Sequence, residues 1–231
     1  MIDAWQGYRL EHFIPFTPEV YLRLLERVNE AAWPLHPAAV ALGLASLVFA
    51  WRGRARLAVL LLAPAWVSSG VLFHLQRYAE LNWAAPYLGW AFLGQAALLL
   101  GLALTGHEAG RRAGDAPHRA LAAAVALAGI AGYPLVAVVA GHGWGHAEIF
   151  ALHPDPTAAV TLGVVLLAPG GARAALAALV PVLWLAVSTL TLVGLGIAWA
   201  WAPAALAAAA GVGALAGAMN RGRARSTSRA R

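Results

Sequence analysis

Seven long apolar stretches limit how this chain can fold more than any other feature. A helix of about 20 apolar residues crosses the roughly 30 Å hydrocarbon core of a bilayer. The stretches occupy residues 34–51, 57–74, 84–105, 120–141, 157–168, 174–195 and 203–219. Because 61% of the residues are hydrophobic and only 11% are charged, the chain could not cover the surface of a soluble fold. The sequence therefore predicts an all-α integral membrane bundle of seven transmembrane helices.

The arginines predict how this bundle is oriented. Twelve of the 16 basic residues, all of them Arg, lie at one end, which we name the arginine-rich end. The opposite end has four Arg and eight acidic residues, and we name it the acidic end. Cytoplasmic loops carry the excess of basic residues, so the arginine-rich end is predicted to be cytoplasmic. The N-terminus is then external and the C-terminus cytoplasmic, and we expect no nucleic-acid partner, because the charge is a topology signal.

The fifth stretch, residues 157–168, is short for a membrane span. A segment of this length either thins the bilayer locally or forms a half-helix that packs inside the bundle. If it did not cross, the five Arg after residue 219 would lie outside, against the rule for basic residues. The sequence alone leaves both forms of the segment open.

An amphipathic helix is predicted before the first span. Residues 17–19 form a start signal, with Thr at the N-cap, Pro at the first helical position and Glu in the first turn. Leu24 and Val28 belong to its apolar stripe, and charged side chains lie opposite. The helix either lies on the outer membrane surface or caps the bundle, and the two arrangements are compatible.

These features divide the chain into three predicted regions. Residues 1–33 form an N-terminal segment with the interfacial amphipathic helix, and residues 34–219 form the transmembrane bundle. Residues 220–231 are predicted to be a disordered basic cytoplasmic tail, attracted to anionic lipid by its arginines.

The residue types that are missing exclude several kinds of chemistry. Without Cys the chain has no disulfide, thiolate metal site, iron–sulfur cluster or thiol nucleophile. Without Lys it has no Schiff base to retinal or pyridoxal phosphate, and no Lys of a phosphate-binding loop. His107 and Glu108 begin like the zinc-protease motif, but the second His is missing. The sequence thus favours a protein that is not an enzyme.

Polar candidates for a site gather at the acidic end, where six of the eight His are predicted to lie. His74 ends an apolar run, and an ionisable group at such depth normally faces the bundle interior. It is either a ligand or proton-relay residue, or an interfacial His that donates to a backbone carbonyl. His142 lies in a glycine-rich segment at the end of the fourth stretch, and Asp155 opens the fifth stretch as a helix cap or a ligand. Glu30 and Asn82 complete the predicted binding set.

Three functions are compatible with these residues. The first is a transporter or channel-like protein that handles a metal ion or small solute through an outward-facing His and carboxylate site, with His74 and His142 as metal ligands. The second is an accessory membrane subunit without chemistry of its own, which would have a membrane-protein partner or form a homo-oligomer. The third is a redox protein that binds haem through His74 and His142.

Several short motifs resemble a bacterial family of multi-pass membrane proteins, domain-of-unknown-function family 6064. The matching residues are 15–19, 29–34, Trp66, Gly70, His74, Asn82, 133–135, 141–143, Phe150 and 154–157. The resemblance covers about residues 15–170 and implies a membrane protein of several spans, without an assigned activity. We expect the bundle to lie in a bacterial inner membrane. In that family a Cys commonly lies where this chain has Asp155. If that Cys were a ligand, Asp155 could replace it only for a harder metal.

Overall fold

The computed structural model describes residues 14–105, 114–168 and 170–229, and all regular structure in these residues is helical. The all-α prediction is therefore confirmed. The α-helices are α1 (Pro18–Ala32), α2 (His36–Trp51), α3 (Ala55–Ser68), α4 (Ala85–Thr105), α5 (Ala116–Leu127), α6 (Tyr133–Val139), α7 (Pro154–Leu167), α8 (Ala172–Gly194) and α9 (Ala202–Arg229).

The number of spans differs from the predicted seven. Five helical segments of the described chain are long and apolar enough to cross a membrane, and they are Ala55–Glu80, Ala85–Thr105, Ala116–Val139, Ala172–Gly194 and Ala202–Asn220. The first predicted span corresponds to α2, which has 16 residues and meets α1 at an angle of 93°. The fifth corresponds to α7, whose 14 residues extend only about 21 Å. Both helices are too short to cross a 30 Å core alone.

Helix α7 lies at the centre of the bundle. Its residues from Pro154 to Val165 are all buried, and α2, α3, α5, α8 and α9 pack around it. The approach of α5 is close, since a Cβ atom on Gly163 would lie 2.6 Å from the carbonyl oxygen of Ala122. A helix buried on every side needs an apolar surface on every side, which this segment has. Of the two predicted forms, the contacts support a half-helix inside the bundle.

Two π-helical segments interrupt the longer helices. One follows α3 at Ser69–Leu75, and the other joins α5 to α6 at Ala128–Gly132. Each lies close to a proline, Pro64 in α3 and Pro134 in α6, which removes a backbone donor from the helix. Wide turns of this kind shift the helix face, and the first of them includes His74.

Helix α1 covers the acidic end of the bundle. Its apolar face is buried, with Leu25 and Val28 almost fully inaccessible. The Asn29 amide nitrogen donates to the carbonyl oxygens of Gly145 and Ala147, at 2.8 and 2.9 Å. The apolar stripe therefore contacts protein, which is the capping arrangement.

The C-terminal segment, residues 220–231, follows directly on the last predicted span. The backbone of α9 is helical as far as Arg229, so it includes residues 220–229 of that segment.

Candidate functional site

Asp155 is the most completely bonded acidic residue in the described chain. It lies in the first turn of α7 and is 1% exposed. Its Oδ1 accepts a hydrogen bond from Nε1 of Trp184 at 2.7 Å. Its Oδ2 accepts from the hydroxyls of Ser188 at 2.7 Å and Tyr133 at 3.4 Å. All three donors are neutral, and no basic side chain of the described residues pairs with this carboxylate.

Glu148 is a second buried carboxylate at the same end. It lies in the connection between α6 and α7, is 3% exposed, and accepts from Nε1 of Trp199 at 3.4 Å. Burial raises the pKa of Glu148 well above its usual value, and the nearby Asp155 carboxylate raises it further. This residue therefore favours its protonated form.

A cavity of about 10 Å³ lies between the two carboxylates. That volume accommodates the centre of roughly one water molecule. Its wall combines aromatic and hydroxyl side chains from α1, α8 and the chain after α3, namely Tyr21, Phe73, Tyr78, Trp184, Ser188 and Thr191. We name Glu148, Asp155 and this cavity the acidic centre.

His74 packs beside the acidic centre. Its ring is fully buried, with centroids 4.8 Å from Trp184 and 4.4 Å from Phe92. Neither ring nitrogen has a hydrogen-bond partner among the described residues. The alternative in which His74 donates to a backbone carbonyl is therefore absent from the structure, and the imidazole is held by aromatic packing.

His153 is another buried imidazole, just before α7. Its Nδ1 accepts from the backbone N–H of Ile149 at 3.0 Å, so the ring proton of the neutral form lies on Nε2. Thr157 accepts from the N–H of Ala151 and donates to the carbonyl oxygen of His153. These bonds hold the connection against the start of α7. Asp155 faces α8 instead of capping its own helix.

The structure brings together only some of the predicted site residues. Asp155 and His74 share Trp184 as a neighbour. Asn82 is half-buried and donates to the hydroxyl of Tyr78, which lines the cavity. Glu30 and His142 are exposed, and neither lines the cavity.

The donor set bears on the metal and haem hypotheses. Within the described residues no group of three or more His, Asp or Glu side chains is arranged to hold a metal ion. Both oxygens of Asp155 are already engaged by protein donors. The cavity is water-sized, and His74 is enclosed by aromatic rings, so this arrangement does not accommodate a haem between His74 and His142.

Sequence reasoning missed most donors of the acidic centre. Glu148 was counted only among the eight acidic residues of the acidic end. Trp199 was not predicted to donate a hydrogen bond. A signal existed for Trp184 and Ser188, because residues four apart share one face of a helix and both are polar groups in an apolar span. Tyr133 gave no comparable signal beyond its place in the family resemblance.

The model of the family of unknown function DUF6064 matches residues 18–228. This chain belongs to DUF6064. The match begins at α1 and reaches nearly to the end of α9, so it contains the whole acidic centre and extends beyond the predicted resemblance over residues 15–170. The description of DUF6064 carries no activity. No curated protein and no solved structure matches the chain.

Proposed function

We propose that this DUF6064 protein is a proton-coupled transporter of a small solute, with Glu148 and Asp155 as its proton-binding pair. The observation that carries the proposal is that two buried carboxylates border one water-sized cavity without a basic partner among the described residues.

The electrostatics of the pair favour one bound proton. Two neighbouring carboxylates in a poorly solvated site do not both ionise readily, so one keeps a proton over a wide pH range. Asp155 accepts three hydrogen bonds, which stabilise its ionised form, whereas Glu148 accepts a single long one. Glu148 is therefore the proton carrier of the pair.

The position of the pair fits coupling between the proton and a movement of the bundle. Asp155 joins the short helix α7 to α8 through Trp184 and Ser188. Short helices that end inside a bundle commonly border the substrate and ion sites of transporters. A second proton, transferred to Asp155, would weaken the hydrogen bonds between α7 and α8 and so change their packing.

A proton suits the site better than the divalent metal considered from the sequence. The groups facing the two carboxylates are indole N–H groups and hydroxyls, and the cavity holds one water at most. A metal ion would have to displace these donors, whereas a proton needs no additional space.

Infrared difference spectra of the purified protein between acidic and neutral pH test the proposal. The C=O stretch of a protonated, buried carboxyl should be lost in Glu148→Gln and altered in Asp155→Asn. It should persist in the matched control Glu19→Gln, since Glu19 is exposed on α1. In liposomes containing a pH-sensitive dye, proton uptake by Glu148→Gln and Asp155→Asn should differ from uptake by the wild type, whereas uptake by Glu19→Gln should not. Unchanged spectra in both acidic-centre variants would contradict the proposal.

A further inference from the structure

A groove of about 200 Å³ lies on the acidic end between α1 and the chain that follows α3. Its charged lining consists of three arginines, Arg23, Arg27 and Arg77, with Glu80 as the one carboxylate. Arg23 and Arg27 are four residues apart and share a face of α1, and Arg77 meets them from the other wall. The remaining lining is aliphatic.

The arginines of the groove are weakly compensated. Arg27 and Glu80 are 4.0 Å apart, and each side chain is more than half exposed. An exposed pair at that distance contributes little, because water screens it and the side chains lose entropy. The buried Nε of Arg77 has no acceptor among the described residues. The charge of the groove's guanidinium groups is therefore only weakly neutralised by the described residues.

The groove also differs in charge from its surroundings. The acidic end has twice as many acids as arginines, yet three of its four arginines line this groove. The fourth, Arg9, lies outside the described residues. With Glu80 included, the groove has a formal charge of +2, although the acidic end as a whole has more acidic than basic residues.

We propose that this groove binds a phosphate group. A guanidinium presents a planar pair of N–H donors that fits two phosphate oxygens, and Arg is the residue best suited to that contact. A phosphate monoester carries a charge of about −1.5 to −2 at neutral pH, which matches the groove. The phosphate belongs either to a soluble compound or to a lipid headgroup. Since the groove does not include Glu148 or Asp155, this site is independent of the proton-binding pair.

Binding to purified full-length protein in a neutral detergent tests the site. One arm titrates inorganic phosphate by calorimetry at constant ionic strength. The other compares phosphatidic acid with diacylglycerol by native mass spectrometry, because the two lipids differ only in the phosphate. Arg23→Gln and Arg77→Gln should each weaken binding by about tenfold or more. The control Arg173→Gln, at the arginine-rich end and exposed, should change it by less than about twofold.

The outcomes distinguish a soluble phosphate compound from a lipid headgroup, and two of them would overturn the proposal. Binding of inorganic phosphate that depends on Arg23 assigns a soluble ligand, and dependence seen with phosphatidic acid alone assigns a lipid headgroup. Equal binding by wild type, Arg23→Gln and Arg173→Gln would overturn the proposal, as would binding of neither probe by wild type. Arg23 is exposed, so its variant decides the result even if Arg77→Gln fails to fold.

Discussion

Asp155 and Glu148 each belong to a group of one carboxylate, one indole and one imidazole. The two groups differ mainly in how deeply the imidazole is buried. Each carboxylate accepts from an indole N–H, of Trp184 and Trp199, at 2.7 and 3.4 Å. Each indole then packs against an imidazole, His74 at 4.8 Å and His142 at 5.7 Å between ring centroids. His74 is fully buried, whereas His142 is exposed. The same residue types therefore form a tightly bonded inner group and a looser outer group.

The backbone explains why the two groups differ. Asp155 belongs to α7, which is packed on all sides and directs the carboxylate towards α8. Glu148 lies in a connection between helices, so its position depends on tertiary contacts alone. The inner carboxylate is therefore held by three hydrogen bonds, and the outer one by a single longer bond.

The largest expected effect comes from removing the inner carboxylate. Asp155→Ala leaves the donors of Trp184, Ser188 and Tyr133 without an acceptor in a buried site, so the free energy of unfolding should fall by about 3 kcal/mol or more. Glu148→Ala should cost only about 1 kcal/mol. Unfolding of both variants in mixed micelles measures the difference. Equal losses would show that the inner group is no better bonded than the outer one.

The pH dependence of stability isolates the outer group. The folded pKa of Glu148 lies above its ordinary value of 4.5, so its protonated form is the one that folding favours. Its contribution is complete below the unfolded pKa and is lost as the pH rises from about 4.5 through the folded pKa. The slope is at most about 1.4 kcal/mol per pH unit.

Unfolding measured at several pH values gives this slope. Glu148→Gln should reduce this slope, whereas Glu19→Gln should leave it intact. A wild-type protein whose stability is flat or increases with pH across this range would contradict the assignment.

The two imidazoles should respond differently to replacement by Phe. The His74 ring has two buried nitrogens without partners in an aromatic surrounding, so His74→Phe should leave the free energy of unfolding unchanged or raise it by about 1 kcal/mol. His142→Phe, on the surface, should change it by less than about 0.5 kcal/mol. A loss of more than about 1 kcal/mol in His74→Phe would mean that its nitrogens are bonded to a group such as water.

The smallest effect is expected for Glu30, which was part of the predicted binding set. It is exposed on α1 and does not line the cavity. Glu30→Gln should change neither the free energy of unfolding, within about 0.5 kcal/mol, nor the carboxyl signal in the infrared spectra. A lost carboxyl signal would add Glu30 to the proton-binding groups and weaken the comparison between the inner and outer groups.

Some of the site was predictable because its signals are local. His74 and Asp155 stand out as ionisable residues beside apolar stretches, and the structure places both at one indole, Trp184. Glu148 and Trp199 are 51 residues apart and lie in connections without a helical period, so no sequence pattern links them. The π-helical turn that includes His74 also changes the face of the helix on which His74 lies. A regular 3.6-residue period does not predict that face.

By itself, the sequence determined that the chain is an all-helical bundle, with several helices apolar enough to cross a membrane and an amphipathic helix before them. Length, hydrophobicity and side-chain period are properties of short segments, and they act before any long-range contact forms. Only the tertiary structure decided that α7 lies buried at the centre and that Glu148 and Asp155 border the same cavity. Those contacts depend on how separate helices pack, which is a property of the whole bundle and not of any segment.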